Sequence, residues 1–304
     1  MTCVRPRHPL VALCMFFNLL LIHGVYAMLF CGYLFLDTVP TVYRLLYMLV
    51  WHFFWAMQLW CFLCATFATI KAPSSRYRLP EELSRELYKL DSTASQHKLL
   101  IEFCRQKELS IDQHQFEMDS ELVTEADMTR LFCPKCVAIK PSRCYHCFSC
   151  ETCVIRKDRH CHSLFTCVNV NNFKSAQLLG FYTFCTALTT VLTIAPYLYA
   201  KSIHYYYYHF NSQLTVWTIM GLCACGFVVV QSMFAAVTSG GGFIFGVVLA
   251  AQNRTFAEVK TGHKVRYNLG SRWANLKYFW GPNPFFWPFP IEPSDTKELN
   301  DKLK

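Results

Sequence analysis

The chain has 304 residues, 53% of them hydrophobic and 16% charged, with 29 Lys+Arg against 20 Asp+Glu and a formal net charge of +9. Its mean hydropathy of +0.21 excludes a disordered or fibrous class and points to a membrane protein. The basic surplus lies in mixed-charge segments tethered between apolar runs, which suits anionic headgroups and phosphates and makes nucleic acid a poor partner.

A short basic start, residues 1–9 with Arg5 and Arg7, precedes the first of four uncharged stretches: Leu10–Leu36, Leu45–Ile70, Ser175–Ala200 and Leu214–Asn253. Each is long enough to cross ~30 Å of hydrocarbon as a helix rising ~1.5 Å per residue. The first is too long for a signal-peptide core and is followed at once by a second span, so it reads as transmembrane. Isolated His23 and His52 read as satisfied or interfacial side chains. The fourth stretch exceeds one straight span, and Gly240-Gly241-Gly242 is expected to break it or carry it beyond the bilayer. The run Tyr205–Tyr208 fits an aromatic belt at the membrane interface.

Charge orients these spans. Residues 71–174 carry 16 of the 29 Lys+Arg and the tail after 250 carries nine, whereas the connection 201–213 carries only Lys201. The positive-inside rule then places both termini and the central loop in the cytosol. Within that loop, residues 71–130 form a polar linker. Glu81–Tyr88 and Ser95–Glu108 show apolar residues at helical spacing and are expected to be short amphipathic helices. Surface contact and a solvated linker are both open readings of them.

Residues 131–174 are of another kind. Eight of the 17 cysteines fall between Cys133 and Cys167, in the order Cys133-x2-Cys136-x9-His146-Cys147-x2-Cys150-x2-Cys153-x4-Asp158-Arg159-His160-Cys161-x5-Cys167. Repeated C-x2-C pairs with interleaved histidine suit tetrahedral zinc, because a short turn lets two thiolates converge on one ion. A reducing cytosol keeps thiols free for metal and argues against disulfides. Cys133, Cys136, His146, Cys147, Cys150, Cys153, His160 and Cys167 supply eight ligands, enough for two closed sites that staple a domain too small for a large apolar core. Cys144 and Cys161 are left over. A closed site has no open position for metal-bound water, so metal-assisted hydrolysis is not expected. A spare thiol beside a metal ligand is a candidate nucleophile.

This block resembles the cysteine-rich domain of the DHHC protein S-acyltransferases (palmitoyltransferases), and Lys140-Pro141-x-Arg143 before the His-Cys pair fits the same pattern. The resemblance implies an all-α integral membrane fold, with four transmembrane helices and a cytosolic two-zinc domain between the second and third. It implies that one Zn2+ takes Cys133, Cys136, His146 and Cys153, and the other Cys147, Cys150, His160 and Cys167. It also implies two-step transfer: Cys161 accepts a long-chain acyl group from acyl-CoA such as palmitoyl-CoA, then passes it to a cysteine of a membrane-associated protein. Membrane lipid, fatty acyl-CoA and cytosol-facing protein substrates are the implied partners, and the endoplasmic reticulum or Golgi the implied membrane.

The chain departs from the family at the reacting centre. The histidine expected to act with Asp158 as base is Arg159 here, and arginine accepts no proton at accessible pH. Two substitutes offer themselves: Arg159 stabilising the thiolate by charge, and His162, outside the ligand set, taking the proton. His162-Ser163 replaces the family's Pro-Trp, and Lys71-Ala72-Pro73 stands where its Asp-Pro-Gly is expected. A second reading follows from these departures, a catalytically impaired member serving as a membrane scaffold. A membrane-tethered ubiquitin ligase of RING type does not suit the ligand spacing. In the C-terminal element, residues 254–304, the stretch Asn253 to Glu258 resembles the family's Thr-Thr-x-Glu element with Phe256 for the second threonine. Asn268 to Asn275 and the aromatic-proline run Pro282–Pro290 are similar to its C-terminal element; between prolines, Phe285, Phe286, Trp287 and Phe289 are expected to form an interfacial or packed turn.

Overall fold

The computed structural model describes residues 40–208, 216–262 and 267–291. The expected first span, His23, the two cytosolic termini and part of the third connection lie outside the described residues.

Among the described residues three helices are long and apolar enough to cross a membrane, and the protein is multi-pass. The first is α1 (Thr41–Phe67). After it come four short helices: α2 (Glu81–Lys89), α3 (Thr93–Gln106), α4 (Gln113–Glu117) and α5 (Glu125–Leu131). Three two-stranded antiparallel hairpins follow, β1 (Phe132–Cys133) with β2 (Ala138–Ile139), β3 (Cys144–Cys147) with β4 (Thr152–Ile155), and β5 (Arg159–Cys161) with β6 (Thr166–Val168). The long helices α6 (Phe173–Tyr208) and α7 (Val216–Ala251) come next, then α8 (Phe256–Lys260) and α9 (Arg272–Trp280). The all-α expectation therefore fails in the cysteine-rich domain. Its short, turn-rich spacing cannot sustain a helix but folds into hairpins.

In the membrane region α6 packs against both α1 and α7. Trp51 Nε1 donates to Thr190 Oγ1 at 3.2 Å, and Thr193 Oγ1 donates to the Tyr47 hydroxyl at 3.2 Å, two polar contacts that join α1 and α6 inside the spans. The fourth stretch does not break at its glycines: α7 runs unbroken through Gly240–Gly242. Close packing explains it, since a Cβ on Gly240 would lie 2.8 Å from the Phe184 ring and one on Gly246 would lie 2.1 Å from Gln177 Oε1. Gly240 and Gly246 make room for side chains of α6, as small residues do between membrane helices, whereas Gly241 and Gly242 face open space. The opposite face of α7 presents Phe227, Val230, Phe234 and Val237 outward, as a lipid-facing surface requires. Beyond the membrane-apolar part, α6 continues as helix through Tyr208, so the expected connection at 201 begins later.

Residues 71–130 are more than a solvated linker. Tyr77, Leu79, Leu87, Leu100, Ile101, Phe103 and Cys104 form one apolar core with Leu131 of α5 and with Phe132 and Ile139 of the first hairpin. The two amphipathic helices are present, and they bury their apolar faces against the cysteine-rich domain. In this core burial pushes the Cys104 thiol up to about 12, which keeps it protonated and inert.

Candidate functional site

The hairpins set the ligand geometry. A short turn brings Cys133 and Cys136 together, and another brings Cys147 and Cys150 together. Strand register does the rest: His146 lies opposite Cys153 on β3/β4, and His160 lies opposite Cys167 on β5/β6. Each histidine–cysteine pair faces the thiol pair of the preceding hairpin. Two clusters result, Cys133/Cys136/His146/Cys153 and Cys147/Cys150/His160/Cys167, each with its four ligand atoms within 4.8 Å of one another.

These residues fit a tetrahedral metal. An ion bound at ~2.3 Å to sulfur and ~2.0 Å to nitrogen has ligand–ligand edges of roughly 3.5–3.8 Å. In the first cluster His146 Nδ1 lies 3.5, 3.3 and 4.0 Å from the sulfurs of Cys133, Cys136 and Cys153. In the second His160 Nδ1 lies 3.6, 3.4 and 3.8 Å from Cys147, Cys150 and Cys167, and the Cys150 and Cys167 sulfurs are 3.6 Å apart. Most of these ligand residues are buried, so thiolates there need a cation to offset their desolvation. Cys144, outside both fours, is buried beside Cys133 and Cys153.

Side chains alternate along a strand. His160 points to the metal cluster, so its neighbours Arg159 and Cys161 on β5 belong to the other face. Cys161 is half-buried, packed at the junction of two apolar clusters, one built on Phe62 and Ala65 of α1 with Leu164, the other on Val168, Phe173 and Leu178. Its thiol therefore sits where the hairpin meets the membrane helices.

Asp158 is 2% exposed and fixed from two sides: Oδ2 accepts from Arg159 Nη1 at 2.6 Å and Oδ1 from the Phe256 N–H at 2.8 Å. Burial raises its carboxyl above the usual carboxylate range, against the pull of the Arg159 guanidinium and the Phe256 N–H. The Arg159 charge is thus shared with Asp158. His162 opens the turn after β5, exposed, with its ring 5.1 Å from the His160 ring in an edge-on arrangement.

Several anchoring contacts join residues whose pairing the sequence does not show, some of them, such as Arg143 and Glu258, within stretches already noted. Arg143 donates to both carboxylate oxygens of Glu258, at 2.6 and 3.0 Å, and to Asn253 Oδ1 and O at 2.9 and 3.1 Å. A capping box between Thr255 and Glu258 opens α8 and puts the Phe256 N–H on Asp158. The buried Arg156 guanidinium lies 4.4 Å over Tyr278 and 4.0 Å over Phe279 of α9. Burial lowers its pKa to about 10, still cationic at neutral pH. Asn172 donates to the Ala65 carbonyl, an acceptor left over in the last turn of α1, Asn171 donates to the Thr69 carbonyl just beyond that helix, and Asn275 donates to Ala251 at the end of α7. Lys174 donates to the Phe286 and Ile291 carbonyls, and Phe289 packs near Trp60 of α1, so the aromatic-proline run is a packed turn with Phe285 exposed. Buried Asn and Arg beside span ends were the available signal, and it is weak, because such residues are equally common on solvated loops.

A membrane-embedded protein with paired cysteine–histidine metal clusters and a non-ligand cysteine aimed at its helices is the class that fold and site define. Residues 126–262 match the family model described as DHHC palmitoyltransferase. The chain is 31% identical over 170 residues, 55% of its length and 54% of the relative's, to probable protein S-acyltransferase 13 of Arabidopsis thaliana. It is 31% identical over 163 residues, 52% and 50% of the two lengths, to probable protein S-acyltransferase 14 of that plant. Against palmitoyltransferase ZDHHC20-A of Danio rerio it is 25% identical over 294 residues, 91% of this chain and 72% of that one. Over these stretches the chain is similar to the DHHC protein S-acyltransferases. Its match spans about half the length of the plant relatives.

Proposed function

We propose that the protein is a protein S-palmitoyltransferase that moves a long-chain acyl group from acyl-CoA through Cys161 to cysteines of membrane-associated proteins. The observation that carries this reading is the seat of Cys161, on the strand face opposite the metal cluster and against apolar residues of α1 and α6. The Cys161 thiolate attacks the thioester carbonyl, coenzyme A leaves as its thiol, and the resulting acyl-cysteine is then attacked by the substrate cysteine. The apolar junction favours the acyl chain by ~0.8 kcal/mol per methylene withdrawn from water.

Cys133, Cys136, His146 and Cys153 would hold one structural Zn2+, and Cys147, Cys150, His160 and Cys167 the other; closed sites of this kind supply structure, and they keep β5 in place. Asp158 orients Arg159, which lends positive charge beside the thiol, and His162 takes the proton that Arg159 cannot. Leu10–Leu36 supplies a fourth span. The organisation is then a short N-terminal segment, spans one and two to residue 70, the helical segment 71–130, the metal domain 131–174, spans three and four to 253, and the C-terminal element. Both termini face the cytosol, in the endoplasmic reticulum or Golgi.

The test is acylation of purified chain in detergent with labelled palmitoyl-CoA, native against Cys161→Ala at equal zinc content. A hydroxylamine-labile label present in the native chain and absent from the variant is expected. Equal labelling of the two, with zinc bound, would refute the assignment of Cys161 and favour a scaffold.

A further inference from the structure

The three hairpins are three copies of one unit with a period of 14 residues. Phe132, His146 and His160 pair with Ile139, Cys153 and Cys167; the next rung pairs Cys133, Cys147 and Cys161 with Ala138, Thr152 and Thr166. At the same place in each turn a residue with a side chain adopts left-handed backbone: Val137 at φ 48°, Glu151 at 51° and Phe165 at 49°. Such φ values are uncommon away from glycine, so their recurrence in phase marks one turn built three times. In this frame Cys161 stands where Cys133 and Cys147 stand, and Leu164 stands where Cys136 and Cys150 stand.

Each metal cluster takes its two turn cysteines from one hairpin and its cross-strand histidine–cysteine pair from the next. Three hairpins therefore make two sites and leave one ligand position of each kind at the ends, as terminal units of a repeat array do. At the front, the pair positions are Phe132 and Ile139, absorbed into the apolar core of residues 77–131. At the back, no fourth hairpin follows among the described residues, and Leu164, 2% exposed, packs with Phe62 and Ala65 of α1. Of the two positions in that last turn, only Cys161 keeps a metal-binding side chain.

The geometry points to Cys161 as a metal-ligand position left vacant, and to Leu164 as the positioning residue that keeps it so. Leucine in place of the second turn cysteine denies the ion a chelating thiolate pair and seats the hairpin on α1, holding the free thiol against the membrane helices. The proposal rests on Cys161 being the acyl acceptor, but its test counts metal and thiol reactivity and does not require acyl transfer.

The full-length chain in detergent is exchanged with Cd2+, metal per chain is counted, and alkylation of Cys161 by iodoacetamide is followed by mass spectrometry. The native chain is expected to hold two ions with Cys161 freely alkylated. Leu164→Cys is expected to take a third ion and to slow Cys161 alkylation by about tenfold or more, because a metal-bound thiolate is a poor nucleophile. The double change Leu164→Cys with Cys161→Ala is expected to return to two. Two ions and unchanged alkylation in folded Leu164→Cys, or a third ion that survives loss of Cys161, would overturn the proposal. Should Leu164→Cys shed its first two ions, the volume-conserving Leu164→Met restores the seat without a thiolate. It must hold both ions and leave Cys161 labelling insensitive to added metal, and its failure would equally overturn the assignment.

Discussion

The clamp between Arg143 and Glu258 makes the sharpest stability prediction. Both side chains are almost wholly buried, 7% and 5% exposed, and the guanidinium makes four hydrogen bonds to Glu258 and Asn253 across more than 100 residues of chain. Removing one partner of a buried pair leaves an uncompensated charge and typically costs ~3–5 kcal/mol. Here Glu258 keeps the Thr255 N–H at 2.9 Å, so Arg143→Ala belongs at the low end, about 3 kcal/mol. The loss falls on the attachment of residues 253–262 to the hairpins, and through the Phe256 N–H on Asp158. At 1.4 kcal/mol per factor of ten, amide exchange over Thr255–Thr261 should quicken roughly 100-fold, while exchange in the α6–α7 contact stays unchanged. A double-mutant cycle with Glu258→Gln isolates the pair from general damage. A coupling below about 0.5 kcal/mol, or exchange in 255–261 no faster than in the native chain, would refute the view that this ion pair fastens the element.

His97 is buried, and desolvation lowers its pKa below the ordinary value of 6.5, against the opposing pull of Asp127 and Gln115. A lowered folded-state pKa gives stability that is complete above the unfolded value and lost as pH falls through the folded one. Amide protection across residues 79–131 should therefore decline below pH ~6.5, and His97→Phe should flatten that decline. Gly246→Ala would put a Cβ 2.1 Å from the side-chain amide of buried Gln177, which must swing aside, so thermal stability in detergent should fall modestly; an unaltered melting temperature would mean that this amide finds room without cost. Stripping metal with a chelator should erase protection across the hairpins 132–168 while leaving α1, α6 and α7 protected, since two-stranded hairpins are marginal alone and depend on their ions.

The reach of the sequence is set by the range of the interactions it encodes. Eight candidate ligands at short, fixed spacing stand out in the sequence, because a turn of four residues forces two cysteines together whatever the rest of the chain does, and the fold gathers them into two groups of four that could hold metal. Spans could be read from length and charge alone, and three of the four expected lie among the described residues as long apolar helices. The helices of residues 71–130 showed their period, but that period does not say what the apolar face packs against. Only the fold joined Leu87, Leu100 and Phe103 to Phe132 and Ile139 of the first hairpin.

The reacting centre divides in the same way. The ligand count left over Cys144 and Cys161, and the family resemblance picked out Cys161 as the acyl acceptor and Arg159 as the departure. The sequence did not say which way Cys161 or Arg159 would point. Strand alternation on β5 turns Cys161 away from the ligand His160, and packing on Phe62 and Ala65 of α1 gives the thiol its apolar setting. Asp158 acquires its second partner from Phe256, 98 residues on, and Arg143 finds Glu258 115 residues on. The thiol pairs of each turn are determined locally by covalent spacing, whereas strand register and the packing of successive hairpins bring each histidine–cysteine pair to them. The clamp, the glycine contacts of α7 and the seat of Cys161 depend on surfaces that exist only once the helices have packed, and tertiary structure alone decided them.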